Sequence, residues 1–480
     1  MAILTSPHDA PFIFKINLRD NHEKDTSEFS IEVTGKDPKT DQVITSSYLL
    51  ADKSHVAYLN FYDTLAKDFD LRVPLNRRRE EKLFVKNNFN TLLNKNIAPT
   101  ILYGYGDPAA IRVDGKEGQE KPWFYLLATS NDAPNSFPII RSRDLTEWEF
   151  VSFVFPSGEK PEWAIDGENI SDFWAPEMHK IQEEYVTCFV AREKETHELC
   201  IGIATSPEPT GPFVSGKEPL LKGNVIDPHI FVDDDKRVYF YWKEDNNDLW
   251  PSKLLDFLYR NPLFIKDLFL TKENQVTASF VLTLWPWTQT LKPMERFMVN
   301  QVLIEAVVSE FSAFYERLTG FMAQQPNSIQ IEIKSLLEVL RTPIYSQQLT
   351  PAGYKLMGDK QKVIENDQEW EAHLVEGTWI TKRNDKYYIF YSGNDFSTDQ
   401  YGIGVGIAES PVGPFTKMDE PLLRSNSEWW APGHPSIVVG PDGNSQMLLH
   451  AYYPGKAGYK QFRALLSVPI QFEPDGVLVV

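Results

Sequence analysis

Residues 229–242 read HIFVDDDKRVYFYW, which is an apolar run, a polar turn and an aromatic-rich run. Residues 377–391, GTWITKRNDKYYIFY, follow the same pattern. This pattern is typical of two β-strands joined by a turn. Five such units occur, and they start near residues 109, 178, 229, 377 and 435. The repetition predicts an all-β chain built from equivalent strand–turn–strand units.

A polar residue lies at or just before the start of each unit. These residues are Asp107 in GDP, Glu177 in WAPE, Asp227 in IDPH, Glu376 in EGTW and His434 in GHPS. Side chains at one recurrent position converge when the units are arranged radially, as in a propeller whose first strands line the axis. A β-sandwich is the rival architecture, but it does not predict equivalent polar residues at the head of each unit. The pattern therefore favours a five-bladed β-propeller.

Two parts of the chain depart from the repeat. The interval between the third and fourth units is more than twice as long as any other, and residues 253–342 show helical periodicity instead. Residues 293–323 are predicted to form one long amphipathic helix, and residues 328–341 another. We therefore expect a helical insertion at 253–342 inside a propeller that spans residues 97–480.

Residues 1–96 precede the propeller and are predicted to form an N-terminal accessory segment. Their pattern indicates β-strands at 12–17, 28–34 and 43–49, and it favours one helix at 77–93. No motif in this segment indicates a function.

Composition and charge exclude several classes of partner. A net charge of −19 disfavours a nucleic acid or an anionic membrane, since both need basic patches. No run reaches the roughly 18–20 apolar residues of a membrane span. No signal peptide is visible, so we expect a cytoplasmic protein, or a secreted or periplasmic one if a signal has been removed. Cys188 and Cys200 lie in apolar runs, which predicts buried thiols without a disulfide or zinc site.

Three of the heads, Asp107, Asp227 and Glu376, are carboxylates that are followed directly by Pro or Gly, so the chain turns there. Carboxylates that are held close together raise the pKa of at least one of them. One group then keeps a proton near neutral pH while another stays ionised. This division suits cleavage of a glycosidic bond, where an acid protonates the leaving oxygen and a base activates water. A content of 13% aromatic residues also suits a carbohydrate, because sugar rings stack on aromatic faces.

The motifs as a set resemble glycoside hydrolase family 43, over about residues 96–480 without the insertion. The resemblance implies an inverting five-bladed propeller that removes terminal xylose or arabinose, as a β-xylosidase or an α-L-arabinofuranosidase. It implies that Asp107 is the general base, that Glu376 is the general acid, and that Asp227 tunes and orients the acid. The motifs that carry it are GDPAAIRVDGK, DFWAPEMHK, VIDPHIFVDDDKRVYFYW, EGTWITKRNDKYYIFYSG and APGHPSIVVGPDG.

The resemblance also implies residues around the substrate. His434 matches an axial histidine beside a calcium or sodium ion in the channel, or it is structural; no organic cofactor is expected. Trp174 and Phe173 are either walls of the sugar subsite or packing between blades. Arg463 matches an arginine that contacts substrate, and Glu177 is a candidate hydrogen-bonding group at the rim.

The N-terminal segment and the insertion are unusual for the family, which leaves the substrate open. The insertion is expected to cover the site, to add subsites or to form a homo-oligomer interface. The alternatives are another specificity, such as a galactosidase, or a catalytically silent carbohydrate-binding propeller. Retention of all three carboxylates disfavours the silent form.

Overall fold

The computed structural model describes residues 2–20, 29–50, 54–74, 89–115, 121–350, 352 and 354–480. The chain divides into two compact units, and each is assembled from two separate pieces of sequence. Unit 1 contains residues 1–81 and 246–341, and unit 2 contains residues 82–245 and 342–480.

Unit 1 combines a four-stranded antiparallel sheet with a set of helices. The strands lie in the order β1 to β4, with bounds Ala2–Thr5, Phe14–Asp20, Phe29–Lys36 and Val43–Leu50. The helices α1 to α7 are His55–Phe69, Leu249–Arg260, Ile265–Leu268, Lys272–Thr288, Pro293–Val308, Phe311–Met322 and Asn327–Val339, with a 3₁₀ turn at Pro262–Phe264. Side-chain caps fix two helix starts: Ser54 Oγ accepts from Ala57 N (3.2 Å), and Thr271 Oγ1 accepts from Asn274 N (3.1 Å).

Aromatic packing joins the N-terminal sheet to the inserted helices. The ring of Phe14 in β2 meets Phe69 of α1 edge-on at 5.6 Å and Phe280 of α4 at 5.4 Å. Ser6 Oγ and Thr283 Oγ1 also share a hydrogen bond of 2.7 Å. The predicted accessory segment and the predicted insertion, which the sequence pattern treats separately, therefore share one core.

The single helix predicted at residues 293–323 is wrong. The segment forms α5 and α6, which are bent by 83° at the break between them. Glu310 leaves the helical conformation there (φ −139°, ψ 38°). The bend lets α6 bury one face, with Phe311, Phe314 and Leu318, while α5 is buried on nearly all sides.

Two further points concern the helices of the described residues. No single one is long and apolar enough to cross a membrane, and α5 with α6 reaches that length only as a bent pair. The helix predicted at 77–93 falls partly on residues 75–88, which lie outside the described residues. Its last part, Asn90–Leu93, forms strand β5 instead, because it pairs with a strand near the C-terminus.

Among the described residues, unit 2 contains five antiparallel sheets, each with consecutive strands side by side. The first holds β6 to β9: Ala109–Val113, Trp123–Leu127, Ser136–Ser142 and Trp148–Phe155. The second holds β10 to β13: Trp174–Ile181, Glu184–Arg192, Leu199–Ser206 and Val214–Ser215. The third holds β14 to β17: Val225–Val232, Val238–Glu244, Ile344–Leu349 and Leu356–Ile364.

The last two sheets continue this order. The fourth holds β18 to β21: Val375–Arg383, Lys386–Gly393, Gly402–Ala408 and Thr416–Lys417, with a 3₁₀ turn at Glu369–Glu371 before it. The fifth holds β22 to β25: Trp430–Val439, Ser445–Tyr452, Ala464–Glu473 and Gly476–Val479. Strand β5 also pairs with β24, so both ends of unit 2 meet in the fifth sheet.

The first strands of the five sheets carry a shared backbone feature. They contact one another in a cyclic order, β6 to β10, β14, β18, β22 and back to β6. The pairing register breaks near the start of β10, β14, β18 and β22. A residue with left-handed φ lies at each break, and Asp107 has the same conformation just before β6: Asp107 52°, Ala175 43°, Asp227 54°, Gly377 60° and Ala431 51°. Such bulges redirect side chains, and they often occur next to active sites.

A double-mutant cycle tests the shared core of unit 1. Phe14→Ala and Phe280→Ala each remove one ring of the edge-on pair, so their effects on the free energy of unfolding should couple by about 0.5–1.5 kcal/mol. Urea denaturation of the two single variants and the double variant measures this energy. The control pair is Phe14→Ala with Phe390→Ala, a buried ring of unit 2. Additive effects in both pairs would contradict the shared core.

Candidate active site

Three sheets of unit 2 bring the predicted carboxylates together. Asp107 precedes β6, Asp227 lies in β14 and Glu376 lies in β18. Gly377 N, which directly follows Glu376, donates to Asp227 Oδ2 (2.7 Å). Burial raises the pKa of Asp227, and the charge of Asp107 raises it further, so these two carboxylates lie within electrostatic reach. The convergence expected from the repeat is therefore present in the structure.

Asp107 is surrounded by groups that hold it ionised. Arg463 Nη1 donates to its Oδ1 (2.8 Å), and Thr129 Oγ1 donates to its Oδ2 (2.5 Å). His450 Nδ1 accepts from the backbone N of Asp107 (3.1 Å). Burial alone would raise the pKa of Asp107, but Arg463, the nearby His434 and His450, and the Thr129 hydrogen bond hold it well below its usual range. Asp107 is therefore a carboxylate at any ordinary pH.

Glu376 has the opposite environment. Burial raises its pKa to about 7; the charge of Lys243 acts against this rise and that of Asp227 adds to it. Tyr401 OH donates to Glu376 Oε1 (2.7 Å), and Lys243 Nζ lies 3.7 Å from Oε2. The site thus holds one carboxylate that is kept ionised, Asp107, and a buried pair, Asp227 and Glu376, whose pKa values are raised toward neutral pH. This is the arrangement of a general base and a general acid.

Glycines make room for the groups that contact the carboxylates. A Cβ on Gly106 would lie 1.8–2.0 Å from the guanidinium of Arg463, which reaches Asp107 through that space. A Cβ on Gly433 would lie 2.0 Å from the ring of Tyr401, the donor to Glu376. Real Cβ atoms do not approach so closely, so both positions require glycine for the site to form.

The other side chains predicted to surround the substrate lie in different environments. Trp174 is partly exposed, and its Nε1 donates to Asn131 Oδ1 (3.0 Å), so it stays a candidate wall for the sugar. Phe173 is fully buried and packs edge-on against Phe137 at 5.7 Å, which matches the packing alternative and leaves no ring face for a sugar. Arg463 is close to the site, but its described contact is with Asp107.

Glu177 does not reach the rim as the sequence suggested. It is 2% exposed, and its Oε2 accepts from His179 Nε2 (2.7 Å) and His229 Nδ1 (2.8 Å). His229 Nε2 accepts from Ile380 N (2.9 Å), so the proton of this ring is on Nδ1. Ala175 holds the left-handed position of this strand, and Glu177 lies two residues after it, as His229 does after Asp227. The carboxylate of Glu177 therefore belongs to a buried network that links three sheets.

Sequence reasoning missed Thr129, Tyr401 and Lys243, which contact the catalytic candidates from other strands or loops. None has a fixed spacing from the carboxylate that it contacts, because the contact forms only when the sheets pack. A lysine at the end of the aromatic run YFYWK was the one available signal, since a charged residue that follows such a buried strand needs a partner.

The family model for glycosyl hydrolases family 43 matches residues 98–260 and 338–478, more than half of the sequence. The chain belongs to this family. The resemblance stated from the motifs is thereby confirmed, and the unmatched residues 261–337 fall inside the helical insertion of unit 1.

Individual relatives give the same result. The chain is 25% identical over 309 residues to xylosidase/arabinosidase 43A of Humicola insolens. This alignment covers 64% of the present chain and 74% of the Humicola protein. It is 23% identical over 279 residues to a xylosidase/arabinosidase of Bacteroides ovatus, in an alignment that covers 58% of the present chain and 64% of the Bacteroides protein. A crystal structure of a thermostable family-43 glycoside hydrolase superimposes with a TM-score of 0.52 and 23% identity, over 78% of this chain and 92% of the other.

The raised pKa of Glu376 predicts the alkaline limb of the pH profile. The acid must be protonated, so kcat/KM should be highest below about pH 7 and fall as pH rises through that value. Tyr401→Phe removes a hydrogen bond that lowers the pKa of Glu376, so the limb should move up by about 0.5–1 pH unit. Kinetics on an aryl glycoside measure this shift. Tyr388→Phe, whose hydroxyl donates to Glu473 O, is the control and should leave the limb in place.

Proposed function

We propose that this protein is an inverting glycosidase that removes terminal xylose or arabinose residues from plant-type oligosaccharides or polysaccharides. The observation that carries the proposal is the opposite pKa shift of Asp107 and Glu376 in one buried site. The names of the Humicola insolens and Bacteroides ovatus relatives, both xylosidase/arabinosidase, support a pentose as the sugar.

In the proposed mechanism Asp107 is the general base. It removes a proton from a water molecule, and the water oxygen then attacks the anomeric carbon from the side opposite the leaving group. Arg463 donates to one oxygen of Asp107 and Thr129 to the other, which hinders the formation of a bond from Asp107 to carbon. This favours attack by water, and hence inversion, over a covalent intermediate.

Glu376 is the general acid of the same step. Its Oε1 already accepts from Tyr401, so the proton that is transferred sits on Oε2. It passes to the glycosidic oxygen as the carbon–oxygen bond breaks, which leaves a neutral alcohol and a glutamate carboxylate. Asp227 fixes the backbone beside the acid through Gly377 N, and its charge helps to keep Glu376 protonated before the reaction.

We also infer that the five sheets of unit 2 are the blades of a five-bladed propeller. The cyclic contacts of their first strands support this inference, and so does the pairing of β5 with β24 in the fifth sheet. The carboxylates then ring one mouth of the central channel. A homo-oligomer through the helical insertion stays a prediction, and so does the cellular location.

A screen of aryl pentosides and hexosides tests the function. Asp107→Ala and Glu376→Ala should each lower kcat/KM on the best substrate by about 10²–10⁴-fold, because each removes one partner of the proton transfers. Proton NMR of the first product should show the inverted anomer. Thr205→Ala, an exchange on β12 outside the site, is the control.

Two outcomes would contradict the proposal. The first is unchanged activity in both carboxylate variants. The second is a wild type that binds oligosaccharides without cleaving any glycoside, which would favour the silent carbohydrate-binding propeller. A preference for a hexoside over all pentosides would change only the sugar in this proposal and would leave the proposed mechanism in place.

We further propose a hydrated calcium or sodium ion beside His434. Its Nδ1 lies 3.5 Å from Asp107 Oδ1, and Glu177 and Glu376 lie within electrostatic reach. An imidazole among carboxylates fits a cation held largely by water. The ion would offset the negative charge of the site.

Removal of the ion is the test. Dialysis against a chelator in a sodium-free buffer should remove either ion and lower Tm by about 2–4 °C, and added calcium or sodium should restore it. Elemental analysis of the protein before and after dialysis identifies the metal. His197→Asn, at a histidine outside the site, should respond to the chelator as the wild type does, whereas His434→Asn should not respond. A protein that retains no metal and keeps its Tm would contradict this proposal.

A further inference from the structure

Lys243 is a buried cation with an incomplete environment. It lies near the end of β15, and its side chain is 0% exposed. Among the residues that the structure describes, no atom forms a hydrogen bond with its Nζ. Burial of an ammonium without such bonds is costly, so a group of this kind is retained where a charge acts on it.

The charge that Lys243 faces is that of the proposed acid. Its Nζ lies 3.7 Å from Glu376 Oε2, which is an ion-pair distance but too long for a hydrogen bond. Lys243 pairs in register with Ile226, the residue before Asp227, so it enters the site from the third sheet while Glu376 comes from the fourth. Its charge acts on both Asp227 and Glu376.

The two oxygens of Glu376 are therefore unequal. Oε1 is held by the hydroxyl of Tyr401 at 2.7 Å, whereas Oε2 faces Lys243. Oε2 is the oxygen that carries the proton in the proposed mechanism, and it becomes anionic when the proton leaves. An ammonium beside it interacts weakly with the neutral acid and strongly with the carboxylate.

We propose that Lys243 is a positioning residue for proton transfer, whose ammonium stabilises the Glu376 carboxylate as it forms in the transition state. This inference rests on the proposed function of Glu376 as general acid. The interaction strengthens only as charge develops, so it lowers the barrier without tightening substrate binding. The proton goes from Oε2 to the glycosidic oxygen, and Lys243 keeps its own protons throughout.

A second buried lysine shows what a purely structural role looks like. Lys417 Nζ donates to Glu371 Oε1 (2.6 Å), Glu371 Oε2 (2.8 Å) and the carbonyl of Glu365 (2.7 Å). All three donor positions are used, and none is near the catalytic carboxylates. Lys243 has no such set of bonds, which sets it apart from a structural anchor.

Leaving-group dependence tests the inference. General acid catalysis contributes strongly to the departure of a poor leaving group. It contributes little when the leaving group is good, as dinitrophenolate is. In Lys243→Met, kcat on an unactivated phenyl glycoside should fall by about 10–100-fold, and kcat on the dinitrophenyl glycoside by less than about 3-fold. KM should stay unchanged for both. Lys243→Arg should recover part of the loss.

Controls separate the outcomes. Lys417→Met should lower Tm without any leaving-group dependence, and Lys243→Gln repeats the test if the methionine variant does not fold. Equal losses on both substrates, or a loss in KM alone, would overturn the role of Lys243. Glu376→Ala must show the leaving-group dependence itself. If it does not, or if the wild type cleaves neither substrate, the proposed function fails and this inference fails with it.

Discussion

Three carboxylates share one buried site, and burial prevents all of them from being ionised at once. Arg463 and Thr129 fix the charge on Asp107, so the proton is held by Asp227 and Glu376. The residues that surround the carboxylates follow from this constraint. Gly106 is small because the guanidinium must pass it, and Gly433 is small because the tyrosine that binds Glu376 must pass it. The groups around Asp107, with Arg463 contributing most, produce the difference in pKa that acid–base chemistry needs.

The left-handed residue in each first strand is a property of the architecture as well as of the chemistry. Asp107 and Asp227 adopt it, but so do Ala175 and Ala431, which carry no reactive group. A non-glycine residue in this conformation costs about 1–3 kcal/mol, and the paired strands on either side must supply that energy. At two of these equivalent positions, Asp107 and Asp227, the side chain takes part in the site; in the fourth sheet Gly377 takes the position, and the proposed acid, Glu376, directly precedes it.

The sequence predicts the features that repeat and misses those that arise from packing. Asp107, Asp227 and Glu376 were found because each heads a local motif, and the motif also gave the family. Tyr401 and Lys243 contact Glu376 from distant strands, so no spacing in the chain identifies them. Glu177 was counted among the heads, but Ala175 holds the equivalent left-handed position, and Glu177 lies two residues later, where it contacts two histidines. The break between α5 and α6 falls at Glu310, without the proline or glycine that usually signals one.

The division of unit 1 between residues 1–81 and 246–341 has a consequence for synthesis on the ribosome. Strands β1 to β4 emerge first, but α4, which supplies Phe280 against Phe14, emerges only after β15. The third sheet is also incomplete at this stage, because β15 pairs with β16, which follows the helices in the sequence. Between β15 and residue 341 both units are therefore incomplete; unit 1 is complete at residue 341, whereas unit 2 gains its last two sheets only over residues 375–479. A nascent chain that stalls between β15 and residue 341 exposes apolar surface of two incomplete cores. We expect its need for a chaperone to be greatest at this stage.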